Sequence, residues 1–212
     1  MLAAIAHDYR TYLTRLELRS EFIDDPEQRA SAANDLEEMR MLLDDTLTFA
    51  RDSAQDEADR AICDVQVELD AIAAERRAHG EDVSIDSPAG PILARASHLS
   101  FQRMIANLLD NAMRYGGGHA CVRVRAFDGH VRILVEDEGP GVPEDSLERL
   151  MEPFERLEPS RARKTGGVGL GLSIVQALAQ RYQGDLSLQN RPEGGFRAIL
   201  TLLDGSSATG SR

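Results

Sequence analysis

The sequence predicts an α+β protein of two domains, in which an antiparallel helical hairpin forms a dimeric four-helix bundle and an α/β sandwich with a mixed sheet follows. Two observations predict this division. Apolar residues repeat at helical spacing before residue 52, and short β-rich runs alternate with helical stretches after residue 60. We therefore assign residues 1–52 to the hairpin, 53–60 to a linker, 61–204 to the sandwich and 205–212 to a disordered tail.

Two amphipathic helices make up the predicted hairpin. In the first, steps of three and four residues separate the apolar positions Leu2, Ile5, Tyr9, Tyr12 and Leu16. In the second, the same steps separate Leu36, Met39, Leu43, Thr46 and Ala50. The run from Asp24 to Pro26 between them predicts a short turn. Because one hairpin alone cannot bury both apolar faces, we expect a homodimer through residues 1–52.

The second domain is predicted to contain five strands and four helices. The strands are residues 82–86, 120–127, 130–137, 185–190 and 196–203. The helices are residues 67–79, 97–115, 143–150 and 170–183. Asp128 and Gly129, between two of the strands, predict a two-residue hairpin turn.

Composition limits the classes of function. The 212 residues include 24 Lys and Arg against 36 Asp and Glu, and this net charge of −12 argues against a broad basic surface for nucleic acid. Cys63 and Cys121 lack metal-ligand spacing and are too few for a disulfide framework, so we expect reduced core thiols. The acidic balance leads us to expect a cytoplasmic protein, and the sequence has neither a signal-peptide pattern nor an apolar run of about 18 residues. A membrane-anchored parent protein stays open.

Two glycine-rich runs indicate a nucleotide site. DEGPG at 137–141 and GGVGLGL at 166–172 allow positive φ angles and a close approach of the backbone to a ligand. Neither run matches the phosphate-binding loop of P-loop proteins or the dinucleotide fingerprint of Rossmann folds. The sequence therefore predicts a nucleotide site of another kind.

A pair of amides lies on the helix that precedes the first glycine run. Asn107 and Asn111 are four residues apart, so both face one side of the predicted helix. Taken alone, such a pair also fits helix capping or a satisfied polar network. The neighbouring motifs favour a ligand site.

These motifs, in their order along the chain, resemble the boxes of the sensor histidine kinases. The N, G1, F and G2 boxes correspond to NLLDNAMRY (107–115), DEGPG (137–141), EPF (152–154) and GGVGLGL (166–172). AHDYRTYLTRL (6–16) resembles the H box of the dimerisation domain, which carries the phosphoacceptor. Four ordered motifs with a histidine-bearing helix upstream form a far more specific signal than one glycine run.

The resemblance implies an ATP-dependent protein-histidine kinase with ATP and Mg²⁺ as cofactors. Asp137 would accept a hydrogen bond from the adenine amino group, Asn111 would coordinate Mg²⁺, and Asn107 would support the metal site. The other implied ATP-binding residues are Arg114, Tyr115, Gly139, Gly141, Lys164, Gly167, Gly169, Leu170 and Gly171.

The long connection at 142–168, between the two glycine runs, is typical of an active-site lid. It carries four basic residues, Arg156, Arg161, Arg163 and Lys164. Taken singly, each of them is as well explained by a solvated loop as by a contact with phosphate. As a cluster on an acidic protein, we expect one or more to neutralise the β- and γ-phosphates.

On the first helix, the resemblance implies that His7 is the phosphorylated nucleophile, with Asp8 as its general base. His7 lies off the apolar stripe, so we expect it to face solvent. Thr11 would orient water for dephosphorylation. The implied partner is the receiver domain of a response regulator, whose aspartate takes the phosphoryl group, and a phosphatase activity toward that regulator is compatible with Thr11.

The chain departs from the family where Tyr9 and Tyr12 replace the usual Leu and Pro. Because proline kinks a helix, we expect a straighter helix beyond His7, which would alter the kinase-to-phosphatase balance or the dimer. Two alternatives stay open. One is a degenerate core that binds nucleotide without phosphoryl transfer, and the other is an ATPase of the wider superfamily that includes gyrase and mismatch-repair proteins.

Overall fold

The computed structural model describes the backbone of residues 2–26, 28–30, 32, 33, 36, 39, 61–153, 155 and 169–206, with side chains from residue 11 onward. The chain divides into two compact units. The helical unit comprises Met1–Asp56 and Arg156–Leu170, and the sandwich unit comprises Glu57–Glu155 and Gly171–Arg212. Among the described residues, we find no helix with the length and apolar content that a membrane crossing requires.

The helical unit begins with helix α1, Leu2–Ser20. The predicted break follows, because residues 21–25 are not helical and the helical conformation resumes at Pro26. Proline is well suited to the first turn of a helix, where its missing N–H has no partner to lose. The predicted positions 43, 46 and 50 of the second apolar stripe lie outside the described residues.

Within one chain, the predicted apolar stripe of α1 is exposed where its side chains are described, since Tyr12 is 60% exposed and Leu16 is 43% exposed. Leu13, which lies off that stripe, is 6% exposed, and Leu36 of the second stripe is 8% exposed. The guanidinium of Arg15 lies 5.6 Å from the centre of the Tyr12 ring and makes a cation–π contact with this exposed side chain. The dimer expected to cover this stripe stays a prediction.

The sandwich unit contains seven strands and three α-helices among its described residues. Its strands are β1 (Ile62–Asp64), β2 (Asp82–Asp86), β3 (Leu93–Arg95), β4 (His119–Phe127), β5 (His130–Asp137), β6 (Asp185–Asn190) and β7 (Phe196–Leu203). Its helices are α2 (Val65–Ala78), α3 (His98–Tyr115) and α4 (Gly171–Arg181). The five predicted strands and three of the four predicted helices are confirmed to within a few residues.

Five of the strands form one sheet in the order β2-β4-β5-β7-β6. Strand β2 runs parallel to β4, and the other neighbours are antiparallel, so the sheet is mixed as predicted. Asp128 and Gly129 have φ angles of 45° and 74°, which is the left-handed pair that a tight type I′ hairpin requires. The predicted turn between β4 and β5 is therefore confirmed.

The helices cover one face of this sheet and form the core with it. Val131, Ile133 and Val135 alternate along β5 toward the helices, as a half-buried strand requires. Phe101 of α3 and Leu178 of α4 are buried in the same cluster. Two of the helices begin at side-chain caps, since Asp64 accepts hydrogen bonds from the first turn of α2 and Ser97 accepts one from the first turn of α3.

Three details differ from the sequence prediction. The α-helix predicted at 143–150 is wrong, since two 3₁₀ turns, Glu144–Ser146 and Arg149–Met151, occupy that segment. A segment this short gains too few i→i+4 bonds to form an independent α-helix. Strands β1 and β3, which pair antiparallel with each other, were not predicted. Gly205, assigned to the tail, is buried and donates to the carbonyl of Leu93 at 2.9 Å.

Candidate functional site

The two predicted amides lie along one flank of α3. The apolar side chains of this helix recur every three or four residues and are buried in the sandwich core. Asn107 and Asn111 lie beside them and are half-buried. The Nδ2 of Asn107 donates to the carbonyl of Arg103 at 2.9 Å, which leaves its Oδ1 for another partner. Asn111 makes no side-chain hydrogen bond with any residue that the structure describes.

The carboxyl end of α3 packs directly against the first glycine run. A Cβ added at Gly116, the residue after the helix, would lie 2.2 Å from the Cβ of Asp137. A Cβ at Gly139 would lie 2.6 Å from the carbonyl oxygen of Tyr115. Such distances are shorter than any real contact between these atoms, so only glycine fits at either position. The structure thus brings the asparagine helix and the DEGPG run together.

Asp137 is buried and held by backbone hydrogen bonds. It is the last residue of β5 and is 5% exposed. Its Oδ1 accepts hydrogen bonds from the N–H of Gly139 at 2.9 Å and of Phe196 at 3.1 Å. Its Oδ2 accepts none from the described part of the chain. One oxygen therefore fixes the carboxylate while the other can receive a ligand.

Burial raises the pKa of Asp137 above its ordinary value, because desolvation disfavours the charged form. The hydrogen bonds from Gly139 and Phe196 and the nearby charge of Arg191 oppose this shift. A desolvated acceptor of this kind interacts more strongly with a hydrogen-bond donor than a solvated carboxylate does. The site suits recognition of an N–H group.

A second support of the DEGPG run, which the sequence did not predict, is formed by the end of β6 and the connection to β7. Nη1 of Arg191 donates to the carbonyl of Asp137 at 2.6 Å. Asn190 exchanges two hydrogen bonds with the backbone of Val142. Gly195 has a φ angle of 96°, and a Cβ there would lie 2.1 Å from the Asp137 carbonyl oxygen. The adjacent glycines of this connection were the available signal, but they predict only a turn.

The start of α4 also reaches the asparagine helix. A Cβ at Gly171, the first residue of α4, would lie 3.1 Å from Oδ1 of Asn107. The first N–H groups of a helix have no partner within the helix and attract anions. Gly169 has a φ angle of 76°, as expected of a glycine that turns the chain into the helix, and Leu170 follows it.

The remaining predicted ATP-binding residues lie at the end of α3, in the DEGPG run or outside the described part. Arg114 and Tyr115 are exposed at the end of α3. Gly141 has a φ angle of 72° within the DEGPG run. Lys164 and Gly167, together with the other basic residues Arg156, Arg161 and Arg163 of the predicted lid, lie outside the described residues.

The predicted phosphoacceptor residues all lie on α1. His7 and Asp8 are helical, but their side chains lie outside the described part of the chain. Thr11 is exposed one turn further on. Within the described residues, no group of three His, Cys, Asp or Glu side chains could hold a metal ion.

Comparison with known proteins places this geometry in a family. Residues 96–205 match the family of histidine kinase-, DNA gyrase B- and HSP90-like ATPases. The chain is 37% identical over 204 residues to the sensor histidine kinase GtrS of Pseudomonas aeruginosa, covering 95% of this chain and 41% of that protein. It is 34% identical over 202 residues to the sensor protein RstB of Escherichia coli strain K12, covering 93% of this chain and 47% of that protein.

Among solved structures, the chain resembles full-length ShkA, determined in complex with AMPPNP. The TM-score is 0.67 and the identity is 26%, over 96% of this chain and 45% of that one. The match supports an α+β fold with a mixed sheet like that of histidine kinase catalytic domains. The chain spans less than half the length of GtrS, RstB and ShkA.

Proposed function

The chain belongs to the family of histidine kinase-, DNA gyrase B- and HSP90-like ATPases, and from this premise we propose that it is the catalytic core of a two-component sensor histidine kinase. In this proposal the sandwich unit binds ATP, and His7 receives the γ-phosphoryl group. The observation that carries the proposal is the Asp137 carboxylate, which two backbone amides hold through one oxygen while the other is left for a ligand. The relatives GtrS and RstB are named as sensor proteins, which supports the same reading.

Asp137 would select adenine. The exocyclic amino group of adenine is a donor, and Oδ2 of Asp137 is an acceptor without a partner among the described residues. Guanine presents a carbonyl oxygen at the corresponding position of its ring. Two acceptors would then face each other in a desolvated place, which costs binding free energy. A carboxylate at this position therefore favours ATP over GTP.

The phosphates would lie toward Asn107, Asn111 and the start of α4. The N–H groups of the first turn of α4, which begins at Gly171, have no partner within the helix itself and favour anionic oxygens. The half-buried Asn111 has a side chain without a hydrogen-bond partner among the described residues, and its amide oxygen is the hard ligand that Mg²⁺ prefers. Asn111 would hold the metal and Asn107 would support it. When bound, Mg²⁺ would neutralise charge on the phosphate oxygens.

His7 would act as the nucleophile of autophosphorylation. A neutral ring nitrogen attacks the γ-phosphorus, a P–N bond forms, the bond from the γ-phosphorus to the bridging oxygen breaks, and ADP leaves with that oxygen. Asp8 would accept the remaining ring proton. The phosphoryl group then passes to an aspartate of a receiver domain, and Thr11 would orient water if the core also dephosphorylates that regulator. Residues 1–52 would form the homodimer and 61–204 the ATP-binding domain.

Incubation of the chain with γ-labelled ATP and Mg²⁺ tests the proposal. We expect an acid-labile, base-stable phosphoprotein that His7→Gln abolishes and that transfers its label to a receiver domain. His79→Gln is the matched control, since it alters an exposed histidine of the sandwich unit whose ring contacts the backbone carbonyl of Glu75. Acid-stable label on Ser or Thr would contradict the proposal. ATP hydrolysis without any phosphoenzyme would favour an ATPase of the wider superfamily instead.

A further inference from the structure

Asn190, the last residue of β6, is hydrogen-bonded to the backbone of Val142, the residue that follows the DEGPG run. Its Oδ1 accepts a hydrogen bond from the N–H of Val142 at 2.9 Å. Its Nδ2 donates to the carbonyl of the same residue at 2.7 Å. One side-chain amide thus satisfies both backbone polar groups of Val142, which fixes the position and the orientation of that residue.

The neighbouring residue holds the other end of the same segment. Arg191 donates to the carbonyl of Asp137 at 2.6 Å. Residues 137–142 are therefore anchored at both ends by two consecutive residues, the last residue of β6 and the first residue after it. Between the anchors, Gly141 adopts a φ angle of 72°, and a Cβ there would lie 2.7 Å from Oδ1 of Asn190. The close approach of Asn190 to this loop depends on that glycine.

We propose that Asn190 is a positioning residue for base recognition, which through Val142 holds residues 137–142 in the shape that presents Asp137 to adenine. The inference rests on the proposed function, because it requires that Asp137 contacts the base. Oδ1 of Asp137 is held in part by the N–H of Gly139, which lies within this loop. Release of Val142 frees one end of the loop, and the loop must then be ordered again whenever ATP binds.

Nucleotide selectivity distinguishes this role from a purely structural one. A loss of folded protein lowers the concentration of active sites, but it leaves the ratio of the dissociation constants for GTP and ATP unchanged. Disorder of the loop that carries Asp137 weakens ATP binding and has little effect on GTP, which gains nothing from the carboxylate. The loss of two hydrogen bonds predicts about a tenfold fall in this ratio for Asn190→Ala.

The experiment measures equilibrium binding of ATP and of GTP, each with Mg²⁺, to the full chain. Asn190→Ala is expected to weaken ATP binding about tenfold and GTP binding by less than about twofold. Gln189→Ala is the matched control and should change neither. Gln189 is the adjacent residue of β6, it is half-buried, and strand alternation places its side chain on the opposite face.

A double-mutant cycle with Asp137→Asn tests whether Asn190 acts through Asp137. With the carboxylate removed, Asn190→Ala should change the selectivity ratio by less than about twofold. If Asn190→Ala changes the selectivity ratio equally in both backgrounds, Asn190 acts independently of Asp137 and the inference is overturned. If Asn190→Ala does not fold, Asn190→Asp replaces it. This variant keeps the bond from the Val142 N–H and loses the other one, and it must also lower the ratio.

The outcomes separate the two proposals. If Asp137→Asn abolishes the preference for ATP while the Asn190 variants keep it, the positioning role is wrong and the proposed adenine contact stands. If Asp137→Asn itself leaves the preference unchanged, the adenine contact is wrong and the positioning role falls with it.

Discussion

Replacement of Asp137 by Asn changes one polar atom of the side chain, and it should affect ATP recognition and protein stability in different ways. The amide oxygen of Asn can accept the same two hydrogen bonds from Gly139 and Phe196 that Oδ1 of Asp137 accepts at 2.9 Å and 3.1 Å. The side chain of Asn has nearly the same shape as that of Asp, so the close packing of residue 137 against Gly116 is preserved. What changes is the second atom, which turns from an acceptor into an N–H₂ donor.

The variant should lose most of its affinity for ATP. A hydrogen bond to a charged acceptor contributes about 1.5–3 kcal/mol, which corresponds to about a tenfold to a hundredfold change in the dissociation constant. Two donors facing each other would add to this loss. GTP offers a carbonyl oxygen to the new donor, so its affinity should stay the same or rise. Calorimetric titration of both nucleotides measures the two effects directly.

Whereas the variant should lose ATP affinity, its free energy of unfolding relative to wild type should increase with pH. Burial raises the pKa of Asp137, so between its ordinary and its raised value the folded state binds more protons than the unfolded state. The free energy of unfolding therefore falls as pH increases through this window, and the loss persists at higher pH. Asn cannot ionise, so this contribution is absent in the variant.

Urea denaturation of both proteins at several pH values between 4 and 7 tests the argument. The difference in unfolding free energy between variant and wild type should move in favour of the variant as pH increases, by about 1.4 kcal/mol for each unit by which the folded-state pKa exceeds the unfolded-state pKa. Wild-type ATP affinity in Asp137→Asn would refute the recognition argument. A stability difference that moves the other way would refute the electrostatic one.

The packing of the sandwich unit predicts the effects of two substitutions and the reactivity of one thiol. Gly195→Ala should lower the free energy of unfolding in urea by about 1–3 kcal/mol more than Gly194→Ala. Both residues have positive φ angles, but an added Cβ would lie 2.1 Å from a backbone oxygen at Gly195 and would meet nothing within 4 Å at Gly194. Tyr182→Phe removes a buried 3.1 Å hydrogen bond to Ser100, and we expect a loss of about 0.5–1.5 kcal/mol by the same measurement. Burial raises the pKa of the Cys63 thiol to about 12, so iodoacetamide at pH 8 should label it only after denaturation, as mass spectrometry would show.

Local patterns account for the elements that the sequence predicted. Strand β5 alternates apolar and polar residues, and Asp128 with Gly129 specifies a hairpin turn, so each signal lies within a few neighbouring residues. Strands β1 and β3 have three residues each, too few for alternation to be seen. The helix predicted at 143–150 followed a helical pattern, but the segment is too short for local propensity to decide its conformation.

The sequence by itself determined the class of fold, the order of the elements and the identity of Asn107, Asn111 and Asp137 as candidate ligand residues. Spacing places the two amides on one helix face and the glycine runs indicate a nucleotide site, whereas the roles of these three residues come from the resemblance to the N and G1 boxes. Only the tertiary structure decided what holds Asp137 in place. Its Oδ1 accepts a hydrogen bond from the backbone N–H of Phe196, 59 residues further along the chain, and Val142, just past the DEGPG run, is held by the side chain of Asn190 across a separation of 48 residues. A backbone N–H has no signature in sequence, and the register of β6 and β7 alone brings these groups to the end of β5.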